Sequence, residues 1–111
     1  MKILTAKYGY IIRVDFRDIF KIEPSEDCKN DYLEIRDGAH GYADLLGTYC
    51  GDNFPPMITS KDRFLWLRFH SDESLEYHGF KGVYYFIENT RKYSYDYLLI
   101  NIKNLTILII P

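Results

Sequence analysis

Three carboxylate side chains stand at positions from which they could act together on a cation. Glu23 and Asp31 flank Cys28, and Asp72 follows an apolar segment later in the chain. Carboxylates gathered closely repel one another unless a cation or shared protons intervene, and Ca²⁺ is a hard cation that takes oxygen ligands. Because acidic loops are usually solvated, the spacing alone favours a hydrated acidic rim, with a Ca²⁺ site as the alternative.

The histidines offer no catalytic arrangement. His40, His70 and His78 are the three histidines of the chain, and none stands in a zinc-protease or nucleophile-elbow motif. The sequence also has no glycine-rich phosphate loop. We therefore expect no catalytic activity, and we interpret His70, at the far end of the apolar segment, as a surface or loop residue.

The composition is that of one small globular domain. Of the 111 residues, 47% are hydrophobic and 27% are charged, and 14 basic residues stand against 16 acidic ones for a net charge of −2. Nucleic-acid binding needs clustered excess Lys and Arg, which this near balance does not provide. Eleven Tyr and seven Phe favour strands over helices.

Hydrophobic alternation predicts the elements that must position the carboxylates. Ile12, Val14 and Phe16 alternate with charged residues, and Leu33 and Ile35 are predicted to point inward from a second strand. Four further strands are expected at Leu45–Gly51, Ile58–Ser60, Phe64–Phe69 and Phe80–Phe86. Turn signals separate these strands and no long helical period occurs, so the sequence predicts an all-β sandwich.

The order of the strands decides whether the three acids can meet. Phe64–Phe69 is apolar on both faces except at Arg68, which predicts a central strand. If this strand returns alongside Tyr32–Arg36, the loop at Asp72 lies near the loop that holds the other two acids. We interpret Trp66, in mid-strand, as core or inter-strand packing.

The two ends of the chain carry no complete targeting or membrane segment. Only Ile3–Ala6 precedes an interrupting lysine, so no secretory signal opens the chain. The apolar run Leu98–Ile110 contains polar residues and is shorter than the roughly 20 residues that a spanning helix needs. Residues 89–111 therefore form a tail of unknown role: an added edge strand, part of an incomplete membrane segment, or sequence unrelated to the domain. Asn104-Leu105-Thr106 is a glycosylation sequon within it.

An ordered series of motifs resembles a CUB domain over residues 8–88. The motifs are Cys28-x-x-Asp31-Tyr32-Leu33-Glu34-Ile35-Arg36-Asp37-Gly38, Leu45-Leu46-Gly47-Thr48-Tyr49-Cys50-Gly51, Pro55-x-x-Ile58-x-Ser60, Leu65-x-Leu67-x-Phe69-x-Ser71-Asp72-x-Ser74 and Gly79-Phe80. Within the family, three segments are most similar to the neuropilin and tolloid-like transmembrane proteins, namely Ile22-Glu23-Pro24-Ser25, Arg63-Phe64-Leu65-Trp66 and Leu75-Glu76.

The resemblance implies a fold, a cofactor and a function. The fold is a jelly-roll-type antiparallel β-sandwich, and the function is that of a non-catalytic, extracellular protein-interaction module. Glu23, Asp31 and Asp72 occupy the positions of the family's Ca²⁺ ligands, with the shell completed near Ser74. The closer similarity implies a parent protein that is anchored in the membrane at the cell surface and associates with ionotropic glutamate receptors of the kainate class.

The candidate partner-binding residues are two acids, which the same resemblance assigns, and two tyrosines, which their place in predicted loops suggests. Glu23 and Asp31, held by Ca²⁺, would accept a Lys or Arg of a protein partner. Tyr42 and Tyr77 lie in predicted loops, where aromatic residues either anchor interfaces or pack on the rim of the sandwich.

The chain departs from the family pattern at its start. The resemblance assigns Cys28–Cys50 as a disulfide, but the first cysteine pair of a typical CUB domain has no counterpart here. We expect the first one or two strands to be missing, together with a tyrosine that supports the Ca²⁺ loops. Either residues 1–10 and the tail replace these strands or the chain is a fragment, and we favour the fragment.

Two other functions remain open. The chain could be a substrate-binding CUB module of a tolloid-type metalloprotease, which an astacin-like zinc motif elsewhere in the parent would support. It could also be a Ca²⁺-independent adhesion module, in which the three acids form a solvated rim. A lipoprotein-receptor class A repeat and a membrane span in the parent would favour the neuropilin and tolloid-like interpretation.

Overall fold

Two antiparallel sheets face each other in the computed structural model, which describes residues 1–72 and 79–89. The strands are β1 (Lys2–Thr5), β2 (Tyr10–Lys21), β3 (Tyr32–Asp37), β4 (Asp44–Tyr49), β5 (Ile58–Thr59), β6 (Phe64–His70) and β7 (Gly79–Glu88), and a short 3₁₀ turn covers Glu26–Cys28. One sheet has the order β1-β6-β3-β4 and the other has the order β5-β2-β7. The all-β sandwich expected from the sequence is confirmed.

The core follows the alternation seen in the sequence. Ile12, Val14 and Phe16 point inward from β2, while Leu33 and Ile35 point inward from β3, and all five are buried. Within the described part of the chain, the buried hydrophobic residues of the core are Leu4, Ala6, Ile12, Val14, Phe16, Phe20, Ile22, Leu33, Ile35, Ile58 and Leu65. Burial of one such large side chain contributes about 1.5–3 kcal/mol, so the two inward faces hold the sheets together.

Strand β2 extends further than the alternation of hydrophobic and charged residues predicted, because its pairing with β7 continues beyond a β-bulge. Its pairing with β7 shifts between Phe16 and Phe20, and Asp18 in the bulge has a φ of 70°. The bulge turns Asp18 to the surface, while both phenylalanines stay on the inner face, where their rings meet edge to face with centroids 5.6 Å apart. The strand thus continues to Lys21, and the residues that follow lie at the end of the sandwich.

Strand β6 lies centrally in its sheet, as its apolar character predicted. It pairs with β3 on one side and with β1 on the other. β1 was not predicted as a strand, since its four residues contribute a single buried side chain, Leu4, which lies opposite Leu65. Trp66 follows the inward Leu65, is half-buried and packs beside Gly41 of the β3–β4 connection, so it lies outside the core.

The predicted tail falls outside the described residues, apart from Asn89. Within residues 1–72 and 79–89, no helix is long and apolar enough to cross a membrane.

Candidate metal centre

Glu23 is positioned by a backbone bridge at the end of β2. The N–H of Ile22 donates to the carbonyl of Gly51 (3.1 Å), and the N–H of Gly51 donates back to the carbonyl of Ile22 (2.8 Å). Gly51 has a φ of 82°, in the left-handed region that glycine adopts without strain. Because Ile22 is held in this way, the backbone that leads into Glu23 is constrained, and Glu23 itself is buried, with 8% of its surface exposed.

A disulfide ties the acidic loop to the end of β4. Cys28 and Cys50 are bonded, with their Cα atoms 5.6 Å apart, which confirms the expected pairing. Two hydrogen bonds shape the loop around Ser25, whose carbonyl accepts from the N–H of Cys28 (3.1 Å) and whose hydroxyl accepts from the N–H of Asn30 (3.2 Å). These contacts constrain the backbone of the loop that leads to Asp31.

Asp31 and Asp72 meet because β3 and β6 are antiparallel neighbours. Asp31 directly precedes β3 and Asp72 follows β6, and the facing residues Tyr32 and His70 stack their rings with centroids 4.9 Å apart. The N–H of Asp72 donates to Oδ1 of Asp31 at 2.9 Å. The sequence predicted that these acids would lie close together if the two strands paired, and the structure has this pairing.

The three acids form one compact cluster. One carboxylate oxygen from each of Glu23, Asp31 and Asp72 lies within 4.8 Å of the other two. Asp31 is 4% exposed, whereas Asp72 is open to solvent. Burial raises the pKa of Glu23 above its ordinary value of 4.5, and the negative charges of Asp72 and Asp31 raise it further.

The donor set fits a hard divalent cation such as Ca²⁺. The Oε2 atom of Glu23 is buried and has no hydrogen-bond partner among residues 1–72 and 79–89. A buried oxygen without a partner is costly, and a cation would satisfy it. Ca²⁺ binds oxygen at about 2.3–2.6 Å, so two of its ligands lie at most about 5 Å apart. The observed spacing meets that limit, and Glu23, Asp31 and Asp72 would hold the ion.

Other predicted site residues lie elsewhere. Ser74 and Tyr77 fall outside the described residues. Tyr42 is 82% exposed and stacks on His40 in the β3–β4 connection. That connection follows β3, whereas Asp31 precedes it, and a strand of six residues is roughly 20 Å long. The structure therefore does not bring Tyr42 together with Glu23 and Asp31.

Sequence reasoning missed three residues that support the cluster. Ser25 organises the acidic loop, Gly51 anchors the residue before Glu23, and His70 packs on the tyrosine after Asp31. The signal for Gly51 was its place after Cys50 at a strand end, where a left-handed residue is common. The sequence interpretation of His70 as a surface or loop residue gave it no role at the cluster, whereas His70 is the last residue of β6 and is half-buried.

Comparison with known proteins matches this arrangement to one family. The model of the CUB domain matches residues 2–85. The chain is 46% identical over 85 residues to human neuropilin and tolloid-like protein 2. The aligned region covers 77% of this chain and 16% of that protein. The chain is 42% identical over 84 residues to mouse neuropilin and tolloid-like protein 1, covering 76% and 16%. Pig cubilin is 42% identical over 82 residues, covering 74% of this chain and 2% of cubilin.

A solved structure has the same fold. The CUB1-EGF-CUB2 structure of human MASP-1/3 superposes with a TM-score of 0.69 at 25% identity, covering 78% of this chain and 34% of that one. This likeness and the match of the family model over most of the chain agree with the two-sheet architecture. The chain belongs to the CUB domain family.

Proposed function

We propose that the chain is an extracellular, Ca²⁺-dependent protein-interaction module with no catalytic chemistry of its own. The observation that carries this proposal is the buried Oε2 of Glu23, which has no hydrogen-bond partner in the described part of the chain and lies beside the carboxylates of Asp31 and Asp72. Membership of the CUB family, whose domains are non-catalytic modules, supports the general function. The chain spans 16% of the neuropilin and tolloid-like proteins that it matches, so the activity of the parent protein belongs to this proposal.

The arrangement suits recognition of a basic side chain. A bound Ca²⁺ would hold the three carboxylates in one orientation, while the exposed Asp72 keeps part of the cluster open to solvent. Ordering the acids in advance lowers the entropy that a partner must overcome on binding. A Lys or Arg presented by a protein would then form short, charge-assisted hydrogen bonds with Asp72 or Asp31. Removal of Ca²⁺ would leave the acids in mutual repulsion and weaken this site.

The identity of the partner is the finer part of the proposal. The similarity to neuropilin and tolloid-like proteins supports a parent protein that is anchored in the membrane and whose CUB domain binds an ionotropic glutamate receptor of the kainate class. Capture of the extracellular part of such a receptor by the immobilised chain, in Ca²⁺ and in EDTA, tests this step. If the receptor is captured in neither condition, this partner is excluded, and the proposal of a Ca²⁺ site is not affected by that result.

Thermal unfolding of the oxidised chain tests the Ca²⁺ site directly. Extracellular modules bind Ca²⁺ at roughly 10⁻⁴–10⁻³ M, so about 2 mM Ca²⁺ would stabilise the fold by about 0.6–2 kcal/mol relative to EDTA. Asp31→Asn keeps a side-chain oxygen but removes a ligand charge, and we expect it to abolish the response. Glu26→Gln is the matched control, since Glu26 is an exposed acid of the same loop outside the cluster.

The results of this unfolding experiment distinguish a Ca²⁺-dependent module from a Ca²⁺-independent one. A transition that rises with Ca²⁺ in the natural chain and in Glu26→Gln, but not in Asp31→Asn, supports the proposal. A cooperative transition that is indifferent to Ca²⁺ would contradict it and favour a Ca²⁺-independent adhesion module. An equal loss of response in both variants would point to a general charge effect and would also contradict a specific site.

A further inference from the structure

The side chain of Arg63 is held in one orientation at the end of the sandwich opposite the three acids. Arg63 directly precedes β6 and Asp72 follows it, and this strand of seven residues is roughly 23 Å long. The Nε–H of Arg63 donates to the carbonyl of Ala6 at 2.9 Å, and the N–H of Ala6 donates to the carbonyl of Arg63 at 2.8 Å. Both the backbone and the side chain of Arg63 are thus tied to the residue that follows β1.

Two aromatic rings lie against the guanidinium group of Arg63. Its central carbon, Cζ, lies 4.0 Å from the centroid of the Tyr8 ring and 5.1 Å from the centroid of the Phe64 ring. A cation within about 6 Å of a ring centroid is attracted by the face of the ring. Tyr8 is 78% exposed, so its ring belongs to the surface and not to the core. An arginine held by a hydrogen bond and by two rings has little rotamer freedom left to lose when it binds a partner.

The donors of Arg63 that remain for a ligand are its two Nη groups. Within residues 1–72 and 79–89, the side-chain hydrogen bond of Arg63 uses Nε alone. In the same part of the chain, no ion pair includes Arg63, and those present join acids to Arg17, Arg36, Lys61 and Lys81. The N–H donors of the two Nη groups lie in one plane and match the two oxygens of a carboxylate. Arg63 therefore offers a fixed, charged pair of donors to an anionic group.

We propose that Arg63, Tyr8 and Phe64 form a second binding site, which takes an Asp or Glu side chain of a partner protein. The planar guanidinium binds the carboxylate through both Nη groups, and the exposed Tyr8 ring packs on the carbon atoms beside that carboxylate. Tyr and Arg are enriched among the residues that dominate the affinity of protein interfaces. This site takes the opposite charge to the one that the acidic cluster would take, and it does not depend on Ca²⁺.

The charges around Arg63 favour a single carboxylate over a polyanion. A nucleic acid or a sulfated polysaccharide presents many negative charges and needs clustered Lys and Arg. Asp62 directly precedes Arg63, and the ends of β3 and β4 place Asp37 and Asp44 at the same end of the sandwich. Asp44 pairs with Lys61 at 3.1 Å, which neutralises a neighbouring cation. These acids would repel a row of negative charges, whereas one carboxylate can approach Arg63 alone.

An NMR titration of the full oxidised chain with a defined peptide tests the site. The probe is the capped tripeptide acetyl-Gly-Asp-Gly-amide, and its Asn analogue is the matched control, both at constant ionic strength. We expect the Asp peptide to shift the Nε–H signal of Arg63 to saturation, with an apparent Kd at least about tenfold below that read at the exposed Arg68. The Asn peptide should shift neither signal. An equal response of the two arginines, or no saturable response at Arg63, would overturn the proposal.

Two tyrosine variants test whether the ring beside Arg63 contributes to the site. Tyr8→Leu removes this ring, and Tyr85→Leu is the matched control, since Tyr85 is an exposed tyrosine of β7 in the other sheet. We expect Tyr8→Leu to raise the apparent Kd at Arg63 at least about threefold, because the guanidinium regains freedom that binding must then remove. Tyr85→Leu should leave the Kd unchanged. Equal effects of the two variants, or no effect of Tyr8→Leu, would contradict the proposed site.

Arg63→Lys separates the planar pair of donors from the positive charge. Lysine binds a carboxylate as a point charge, so we expect the Asp peptide to lose at least about tenfold in affinity, read at the backbone amide of Phe64. An unchanged affinity in Arg63→Lys would overturn recognition by two Nη groups. A heparin tetrasaccharide serves as the polyanion probe. A response of Arg63 to this probe and not to the Asp peptide would overturn the proposal in favour of a sulfated partner.

Discussion

The backbone N–H of Asp72 donates a 2.9 Å hydrogen bond to Oδ1 of Asp31, and this bond joins the end of β6 to the start of β3. It places two acids in contact at a point where like charges would otherwise move apart. One carboxylate thus has a structural and a proposed metal-binding role, and the two roles can be separated by substitution.

Substitutions of Asp31 should separate the hydrogen bond from the metal site. In EDTA, Asp31→Ala leaves the N–H of Asp72 without this acceptor, and we expect a loss of about 1–2 kcal/mol in the free energy of unfolding. Asp31→Asn retains an oxygen at the same place, so its loss in EDTA should be much smaller. Urea unfolding of both variants in EDTA measures the difference; equal losses would show that the charge of Asp31, and not the hydrogen bond, stabilises the metal-free fold.

The raised pKa of Glu23 predicts the pH dependence of the metal-free chain. Its cause is first burial and then the charges of Asp72 and Asp31. Between the ordinary value of 4.5 and the raised value, the folded state binds more protons than the unfolded state does. Stability therefore rises as the pH falls through this window. In EDTA, we expect the melting temperature of the natural chain to rise relative to that of Glu23→Gln as the pH is lowered from neutral through the raised pKa of Glu23.

Saturating Ca²⁺ should reverse this trend, since a bound cation favours the ionised carboxylate. A natural chain and a Glu23→Gln variant that follow parallel pH curves in EDTA would show that Glu23 titrates normally in the folded state.

Loss of the disulfide should weaken both the fold and the cluster. Cys28 and Cys50 are 22 residues apart, and the chain-entropy model assigns a loop of this size about 3 kcal/mol. We expect Cys28→Ser with Cys50→Ser to lose about that much in urea unfolding. The stabilisation by Ca²⁺ should also fall, because the loop that leads to Asp31 is no longer tied to the end of β4. A full Ca²⁺ response in this variant would mean that the backbone bridge and the strand pairing suffice to hold the acids.

Ser60 should be far more sensitive to substitution than its neighbour Thr59. Its buried hydroxyl accepts from the N–H of Ile12 (2.8 Å) and donates to the carbonyl of Asp62 (2.6 Å). Ser60→Ala leaves the buried N–H of Ile12 without this partner, which costs about 1–3 kcal/mol. Thr59 is exposed and its hydroxyl accepts from the exposed side chain of Arg13, so Thr59→Ala should change stability by less than about 0.5 kcal/mol. Chemical unfolding of the two variants compares them, and similar losses would contradict this account.

Some features of the cluster could be predicted from the sequence and others could not. The resemblance to the family pattern assigned Glu23, Asp31 and Asp72 as ligand positions before any fold was known. The place of Asp72 was conditional, because its distance from Asp31 depends on which strands pair. Tyr42 appeared equivalent to the other candidates in the sequence, and only the direction of β3 shows that it lies at the opposite end of that strand.

By itself, the sequence determined the strand pattern, the inward residues and the likeness to one family. These follow from short-range alternation and from motifs whose residues stand close together. The tertiary structure decided that β1 exists, that Trp66 lies outside the core, and that the three acids share one site, where a buried oxygen of Glu23 has no hydrogen-bond partner among the residues that the structure describes. Each of these depends on contacts between residues far apart in the chain, and such contacts are set by the packing and pairing of strands, which local alternation does not specify.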